Sequence, residues 1–519
     1  MRRVVVESRW SMMRLSSFEL LFLACGLVYL VLLPPFRAPD ERWHFFRACL
    51  LAEGRGFPEP TEHGVRFRVP ADVIDVAFGP WSEESNGPVD PTTLVHFVMQ
   101  PRIGGSTREV TSPYFPTYMV VPYLPAAVAI AAAKSFGLHP LLWLYLARLF
   151  TFSFVAPMVV AAIRLTSMAR PVFQAVALFP LSIQQLCTVT ADSVVIGASS
   201  LIVALAIRWH TAGAGSFRLD TMLPLGVMLA WSKITYLPLL LLLLPAALCR
   251  SDRSARWRAL PHFVCVIAMI ACFAWLGQKW VYSYHRHPRQ FGEMTASVSE
   301  QSMYLTRQPA AFAGAFLQTI ANETGDWTKE VVRLGRLEPV APATLGYFIW
   351  ALFLFSTAVR EPDEPPATPS LRFAALTAAI TTMLLIGLSL YLWWTPVGHS
   401  QIVGIQGRYF LPLLPVFVVA LTTRRFSVRL GPRLRFVILA VWIAIWWMTS
   451  VSVVRHFYAV SDRMLPTAGQ AVLMAIAGLI IATTIRFYLR PRNDSVARKF
   501  CGDPTSPVIS AHQACPSAR

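Results

Sequence analysis

Long apolar runs alternate with short polar connections along most of the chain. Most runs are about 17 to 25 residues long, the length that an α-helix needs to cross the hydrocarbon core of a bilayer. The pattern predicts an all-α polytopic membrane protein, a bundle of about 12–13 transmembrane helices within residues 18–490. The apolar runs lie near 18–35, 116–134, 141–163, 171–187, 193–209, 221–231, 234–248, 260–282, 344–360, 372–393, 408–423, 436–454 and 467–487.

Two long polar stretches, 37–115 and 283–343, interrupt the apolar runs. Both lack the dense arginine of the other connections, so the positive-inside rule predicts that they are extracytoplasmic loops. The same rule makes residues 1–17 a cytoplasmic N-terminus and residues 491–519 a basic cytoplasmic tail, which we expect to be disordered. The arginine-rich connections contain Arg250, Arg253, Arg256, Arg258, Arg424, Arg425, Arg429, Arg433 and Arg435.

The number of crossings between residues 115 and 164 is a problem for this topology. With Arg164 in the cytoplasm, that number has to be odd, yet there are two apolar runs in the interval. The first run begins in a proline-rich stretch, 112–125, which predicts a broken or re-entrant entry instead of a full span. Residues 221–248 likewise read as two half-length helices broken at Ser232 and Lys233.

Composition supports a membrane protein and excludes several other classes. The 519 residues are 55% hydrophobic and 14% charged, with a mean hydropathy of +0.50, whereas soluble domains average about 25% charged residues. The first apolar run lacks a small-residue cleavage site, so we interpret it as an uncleaved anchor. The positive charges behind the net charge of +18 lie in short connections and form no basic groove, so we predict no nucleic-acid partner. Their placement instead predicts contact with anionic membrane lipid. Eight cysteines without a CxxC pair support neither a disulfide framework nor a metal site.

The first candidate site is an acidic pair, Asp40 and Glu41, just after the first apolar run. A helix predicted over 39–53 would place Asp40, His44 and Arg47 on one face. An ionised Asp40 could accept a proton from a hydroxyl group, and His44 could orient it or contact a phosphate. The alternatives are helix capping for the acids and a structural hydrogen bond for His44. An adjacent apolar face predicts a helix lying on the membrane surface; it consists of Trp43, Phe46 and Leu50.

The remaining candidates lie far along the chain at the predicted outer ends of apolar runs. Asp192 is either a helix cap or a second functional acid, and Lys233 is either a phosphate ligand or a snorkelling or carboxylate-paired lysine. Arg408 offers a bidentate fork for phosphate, with Gln406 and Tyr409 beside it, and nearby glycines allow close backbone approach. The alternative is an interfacial anchor of snorkelling arginine and belt tyrosine.

Together these segments resemble the bacterial membrane proteins catalogued as domain of unknown function 2142. The resemblance covers roughly 18–455 and rests mainly on a Pro-Asp-Glu-x-x-His-x-x-Arg block at Pro39–Arg47 and a Gln-Gly-Arg-Tyr-Phe-x-Pro block at Gln406–Pro412. Weaker elements are Ser112–Pro116, Leu178–Pro180 with Ala191 and Asp192, and Lys233 with Tyr236.

That family in turn resembles the GT-C glycosyltransferases, which use polyprenyl-phosphate sugars and carry an acidic motif in the first outer loop. The resemblance implies that Asp40 is the catalytic base, with Glu41 beside it, and that Asp192 is the second acid that some members use for metal or acceptor. The predicted catalytic set is Asp40, Glu41 and His44. The predicted substrate-binding set is Arg47, Asp192, Lys233, Gln406, Arg408 and Tyr409. No metal ligands are assigned, because neither outer loop contains a clear Asp-x-Asp; a divalent metal stays an open alternative.

The first hypothesis is a glycosyltransferase of the bacterial inner membrane, acting on the outer face. It would move a sugar from a polyprenyl-phosphate donor to an envelope glycan, lipid or protein, with Asp40 as general base. The alternative is a transporter or flippase, or a non-catalytic assembly factor, for lipid-linked envelope polysaccharide. No inverted repeat typical of transporters is visible, and the long outer loops favour the enzyme.

Overall fold

The computed structural model describes residues 15–61, 64–82, 87–100, 106–112, 118–212, 221–245, 253–284, 289–291, 294–359, 364–421 and 430–458. The apolar run predicted at 467–487, the tail at 491–519 and most of the Ser112–Pro116 block lie outside these residues. The α-helices are Ser17–Leu32, Glu41–Ala52, Ala71–Ala77, Pro91–Met99, Leu124–Ser135, Pro140–Leu165, Arg170–Ala177, Pro180–Cys187, Ala191–Ala212, Met222–Ser232, Arg253–Tyr284, Val298–Arg307, Ala311–Lys329, Ala343–Ala358, Pro369–Trp393, Leu414–Leu421 and Pro432–Phe457.

Shorter elements complete the described chain. Four 3-10 segments are Val121–Tyr123, Ile234–Leu243, Glu330–Val332 and Gly407–Leu413. A three-stranded antiparallel sheet joins Glu59–Thr61, Gly64–Pro70 and Thr107–Ser112, and a two-stranded sheet pairs Arg289–Phe291 with Met294–Ala296. Both sheets lie in the two long polar stretches, outside the helical bundle that the apolar runs form.

The predicted all-α polytopic membrane fold is confirmed in its helical, multi-pass character. Four of the described helical stretches are long and apolar enough to cross a membrane: Pro140–Leu165, Ala191–Thr211, Pro369–Trp393 and Pro432–Phe457. Shorter apolar helices pack among them, and their buried faces merge into one large hydrophobic core. Large apolar side chains stay exposed on the outside of this bundle, as expected of surfaces that face lipid. Examples are Leu27, Val31, Trp275, Phe373 and Ile380.

Polar contacts divide the bundle into two ends. The end that carries the start of the first helix joins Glu19 to Arg164, Ser167 to Thr211, and His210 to Thr368. The opposite end carries both long polar stretches; its contacts are Arg37 with the Trp81 carbonyl, the Val89 amide with the Phe457 carbonyl, and Gln184 with Gly335. The two predicted extracytoplasmic loops therefore share one end, opposite the start of the helix Ser17–Leu32.

The interval between residues 115 and 164 contains one long helix that joins the two ends. Pro140–Leu165 runs antiparallel to Ser17–Leu32, since Arg164 bonds Glu19 while Arg148 bonds the Leu33 carbonyl. Residues 121–135 form one of the shorter apolar helices. They lie beside the helix Glu41–Ala52, with Tyr123 bonded to His44 and Lys134 bonded to Glu53. One joining helix is the odd number of crossings that the arginine distribution requires.

Two other apolar runs are each divided into two helical segments. The run 171–187 is two helices, because Phe179 is extended and Pro180 starts a new helix. The predicted break at Ser232 and Lys233 is present: Lys233 has an extended backbone (φ −145°, ψ 101°). The chain continues as a 3-10 segment that contains Pro238.

The first long polar stretch forms a small folded unit with its own hydrophobic core. This core joins the helix Glu41–Ala52 to the three-stranded sheet and to the first turns of Pro140–Leu165. Phe46 packs against Phe67 of the sheet, and Leu50 is buried. The prediction that Trp43, Phe46 and Leu50 face the membrane surface is therefore wrong for Phe46 and Leu50, because both are buried in this core, while Trp43 is half-buried against Phe46 and Phe78.

Candidate functional site

A cavity of about 360 Å³ lies where the first long polar stretch meets the bundle. One wall is polar and contains Asp40, His44, Lys233 and Arg408. The facing wall belongs to the helices Arg253–Tyr284 and Pro369–Trp393 and is largely apolar. Its members are Gln278, Val281, Ile386, Ser389, Leu390 and Trp393. The cavity thus has the two-faced character of a site for an amphipathic ligand.

Asp40 lies at the N-cap of the helix Glu41–Ala52 instead of in its first turn. Its backbone is left-handed (φ 60°, ψ 4°) and its side chain makes no cap hydrogen bond. Asp tolerates this conformation better than most residues, but it still stores strain that the surrounding structure has to hold. The carboxylate is 59% exposed, and one oxygen lies 3.3 Å from an Arg408 nitrogen. Asp40 therefore presents an accessible carboxylate at the polar wall.

Asp192 lies on the other side of Arg408 in the first turn of the helix Ala191–Ala212. One carboxylate oxygen is 3.6 Å from Arg408 Nε, and the other is paired with the Lys233 ammonium. The side chains of Asp192 and Arg408 are only 9% and 4% exposed. Two acids and two cations thus form one charge cluster from four remote parts of the sequence, and we refer to these four side chains as the charge cluster.

The helix Met222–Ser232 and the 3-10 segment Ile234–Leu243 form a broken hairpin around the extended Lys233. This break and the start of the Gly407–Leu413 segment bring the two cations together. Lys233 Nζ lies 4.3 Å from the centroid of the Tyr409 ring, and the Tyr236 hydroxyl donates to the Tyr409 carbonyl at 2.7 Å. Arg408 lies over the same ring at 5.3 Å. Gln406 also lines the cavity. The structure thereby places all three predicted residues of the 406–409 block at the site.

Glu41, predicted as a catalytic residue, does not line the cavity. It is fully buried, and both its oxygens bind the fully buried Arg148, at 2.7 and 2.5 Å. Arg148 also donates to the carbonyls that end the first helix, those of Leu30, Leu33 and Pro34. The Val189 amide, three residues before Asp192, donates to Glu41 as well. Glu41 therefore joins the elements that carry Asp40 and Asp192, and it is a positioning residue.

His44 lines the cavity one helical turn after Asp40. Its Nδ1 lies 2.6 Å from the Tyr123 hydroxyl, and its ring stacks on Tyr118 with an interplanar angle of 4°. Burial lowers the pKa of His44 to about 4, although Asp40 and Asp192 act in the opposite direction. The imidazole is neutral at pH 7, so it can share a hydrogen bond but adds no positive charge to the cluster.

The neutral state of His44 predicts a loss of stability on acidification. The unfolded chain takes up this proton near pH 6.5, whereas the folded chain takes it up only near pH 4. Between pH 7 and pH 5 the folded state therefore loses about 2 kcal/mol through His44. Thermal melts of detergent-solubilised protein should show a smaller drop for His44→Asn, whose amide can still bond Tyr123. Equal drops for both proteins would contradict the assignment.

Arg47, predicted to bind substrate, points away from the cavity. Its side chain is fully buried, and its guanidinium lies 4.5 Å from the centroid of the Phe57 ring. The predicted common face of the helix thus contains Asp40 and His44 at the site but not Arg47.

A divalent metal, which the GT-C resemblance leaves open, does not fit the residues present. Within the described ranges, no three His, Cys, Asp or Glu side chains converge as a metal site. Asp40 at the cavity and Asp192 behind Arg408 are already in contact with cations, Asp192 with two of them. Protein cations therefore occupy the carboxylates that a metal would need.

The family model described as "predicted membrane protein (DUF2142)" matches residues 22–417. The chain belongs to this DUF2142 family. The match contains the whole charge cluster and both sequence blocks that resemble the family. No curated protein and no solved structure matches this DUF2142 chain significantly. The family description gives a membrane location but names no activity.

Sequence reasoning missed several residues that build the site. Arg148 could have been found, because it is a lone charge in an apolar run, and such a charge requires a buried partner. The sequence does not identify Trp393 and Trp394 as site residues, because aromatic residues at a helix end are usually interfacial anchors. Ser232 is buried, lines the cavity and has no hydrogen-bond partner for its hydroxyl among the described residues.

Proposed function

We propose that this protein is an integral-membrane glycosyltransferase. It would transfer a sugar from a polyprenyl-phosphate donor to an envelope glycan, lipid or protein on the outer face of a bacterial inner membrane. The observation that carries the proposal is the placement of Arg408 between Asp40 and Asp192, at the polar wall of a cavity with an apolar opposite wall. This arrangement supports a phosphate-binding cation beside an accessible base.

The two walls of the cavity suit the two halves of such a donor. The isoprenoid chain would lie along Val281, Ile386 and Leu390, and the phosphate would face Arg408 and Lys233. Arginine binds phosphate through a bidentate fork, and lysine acts as a point charge. A nucleotide is not needed, in line with the lack of Walker or Rossmann motifs in the sequence.

Charge balance explains how donor binding would free the base. In the absence of donor the two acids balance the two cations. Asp192 is buried and contacts both cations, whereas Asp40 is exposed and, among the described residues, pairs with Arg408 alone, at 3.3 Å. Solvent screens the exposed pair, so an arriving phosphate would displace Asp40 from Arg408. The displaced carboxylate would then be available to the acceptor hydroxyl.

The reaction is a substitution at the anomeric carbon. Asp40 takes the proton from the acceptor hydroxyl as the acceptor oxygen forms its bond to that carbon. The bond between the anomeric carbon and the phosphate oxygen breaks, and the polyprenyl phosphate leaves with the electron pair. Arg408 and Lys233 stabilise the charge that develops on the leaving phosphate.

The experiment that tests the proposal uses purified protein in liposomes with polyprenyl-phosphate sugars and extracts of cell-envelope acceptors. We expect a new glycosidic bond and release of polyprenyl phosphate. Movement of the lipid-linked sugar between leaflets without bond formation would instead identify a transporter. Neither bond formation nor movement, with a panel of sugars that covers the common hexoses, would contradict the proposal.

Replacement of Arg408 by lysine should weaken donor binding. Arg408→Lys keeps the positive charge but removes the fork that contacts two groups at once. A lost charge-assisted hydrogen bond is worth about 1.5–3 kcal/mol, so we expect a rise of about 10- to 100-fold in the donor KM. Arg307→Lys, on an exposed helix of the second polar stretch, is the matched control. An unchanged KM in Arg408→Lys would remove Arg408 from the donor site.

A further inference from the structure

The turn that carries Arg408 is held from outside the cavity by the second polar stretch. A side chain at Gly407 would place its Cβ 2.8 Å from the Trp327 carbonyl oxygen, so only glycine allows this approach. The indole of Trp327 donates to the Ile405 carbonyl at 3.2 Å. The chain before Arg408 therefore lies directly against the end of the helix Ala311–Lys329.

Glu330 makes a close contact with the turn that carries Arg408. It begins the 3-10 segment after that helix, and its carboxylate accepts from the Gly407 amide at 2.6 Å. The residue is 6% exposed and does not line the cavity. Burial of a carboxylate costs free energy unless hydrogen bonds compensate for the lost water, so the bond from the Gly407 amide is needed to keep Glu330 in this position.

We propose that Glu330 is a positioning residue that holds Arg408 at the phosphate site and tunes its electrostatic field. This inference rests on the proposed function. Glu330 fixes the amide immediately before Arg408, while the Tyr236 hydroxyl fixes the carbonyl of the residue after it. The arginine is thus held from two sides, by the second polar stretch and by the broken hairpin.

The charge of Glu330 changes in the neutral range. Burial raises the pKa of Glu330 to about 7, while the Gly407 amide, Arg408 and Arg333 act against that rise. The other charged groups nearby are Asp326 and Lys329 of the preceding helix, which pair with each other. Glu330 is therefore mostly neutral at pH 6 and mostly ionised at pH 8. Its ionised form opposes an incoming phosphate.

The test measures binding of radiolabelled undecaprenyl methyl phosphate to the protein in nanodiscs. This phosphodiester mimics the donor head without a sugar and does not titrate between pH 6 and pH 8. We expect wild-type affinity to fall several-fold from pH 6 to pH 8. Glu330→Gln should show a flat profile, since its amide oxygen still accepts from Gly407. Glu330→Ala should bind about tenfold more weakly at both pH values, since Gly407 loses its partner.

The controls separate this inference from the proposed function. Glu300→Gln removes one charge from an exposed position of the same polar stretch and should keep the wild-type profile. A wild-type protein that does not bind the probe would contradict the proposed function itself. Wild-type binding with the same profile in Glu330→Gln, or with full affinity in Glu330→Ala, would overturn the role of Glu330 alone.

Discussion

Asp40→Asn should lower the rate of sugar transfer by about 10²- to 10⁴-fold, the usual contribution of general base catalysis. Asparagine has the shape of aspartate and tolerates the left-handed backbone at this position, but it cannot accept the proton. Donor binding should be kept or become tighter, because the substitution removes the carboxylate that competes with phosphate for Arg408. A low kcat with an unchanged or lower donor KM is the expected signature in the liposome assay.

Asp75→Asn is the matched control for this variant. Asp75 lies in the same polar stretch and pairs with Arg108, but both side chains are exposed and remote from the lining of the cavity. Its removal should leave transfer unchanged, since exposed ion pairs contribute little. Transfer at the wild-type rate by Asp40→Asn would refute the role of Asp40 as base.

The sequence points to the acidic pair, but it cannot separate the roles of its two members. Adjacent residues at a helix start point in different directions, and which one faces solvent depends on what packs there. Arg148 lies 107 positions after Glu41 and forms a buried ion pair with it, so Glu41 faces the core. Asp40, without such a partner, stays at the cavity. The same reasoning applies to Arg47, whose burial against Phe57 depends on the fold of the first polar stretch.

Local patterns predicted the helices well where apolar runs were long, as in the run 141–163, which stays one helix despite Pro157. The strand Gly64–Pro70 carried a visible signal, because buried Val65, Phe67 and Val69 alternate with exposed Arg66 and Arg68. A search for transmembrane helices overlooks such a period of two. The position of residues 121–135 beside Glu41–Ala52 had no local signal. An apolar helix packed in a small domain and one in lipid have the same composition, so only tertiary contacts distinguish them.

Replacement of Arg148 should have the largest effect on folding of any single change considered. Arg148→Met leaves the Glu41 carboxylate buried without its cation and removes the donors to three carbonyls at the end of the first helix. Breaking one partner of a buried ion pair costs about 3–5 kcal/mol. We expect a large fall in the melting temperature in detergent and poor recovery from membranes. Transfer activity should also fall, because Glu41 and Val189 lie next to the segments that carry Asp40 and Asp192.

Two comparisons distinguish an unpaired buried charge from simple loss of side-chain volume. Arg164→Met breaks the pair with Glu19 at the other end of the same helix, where Glu19 is buried but Arg164 is 33% exposed, and it should cost less than Arg148→Met because solvent screens this pair in part. The double variant Glu41→Gln with Arg148→Met removes both charges and should be more stable than Arg148→Met alone. If Arg148→Met melts no lower than Arg164→Met, the pair does not stabilise the fold. If the double variant recovers stability but not transfer, the pair is needed to position the two acids as well.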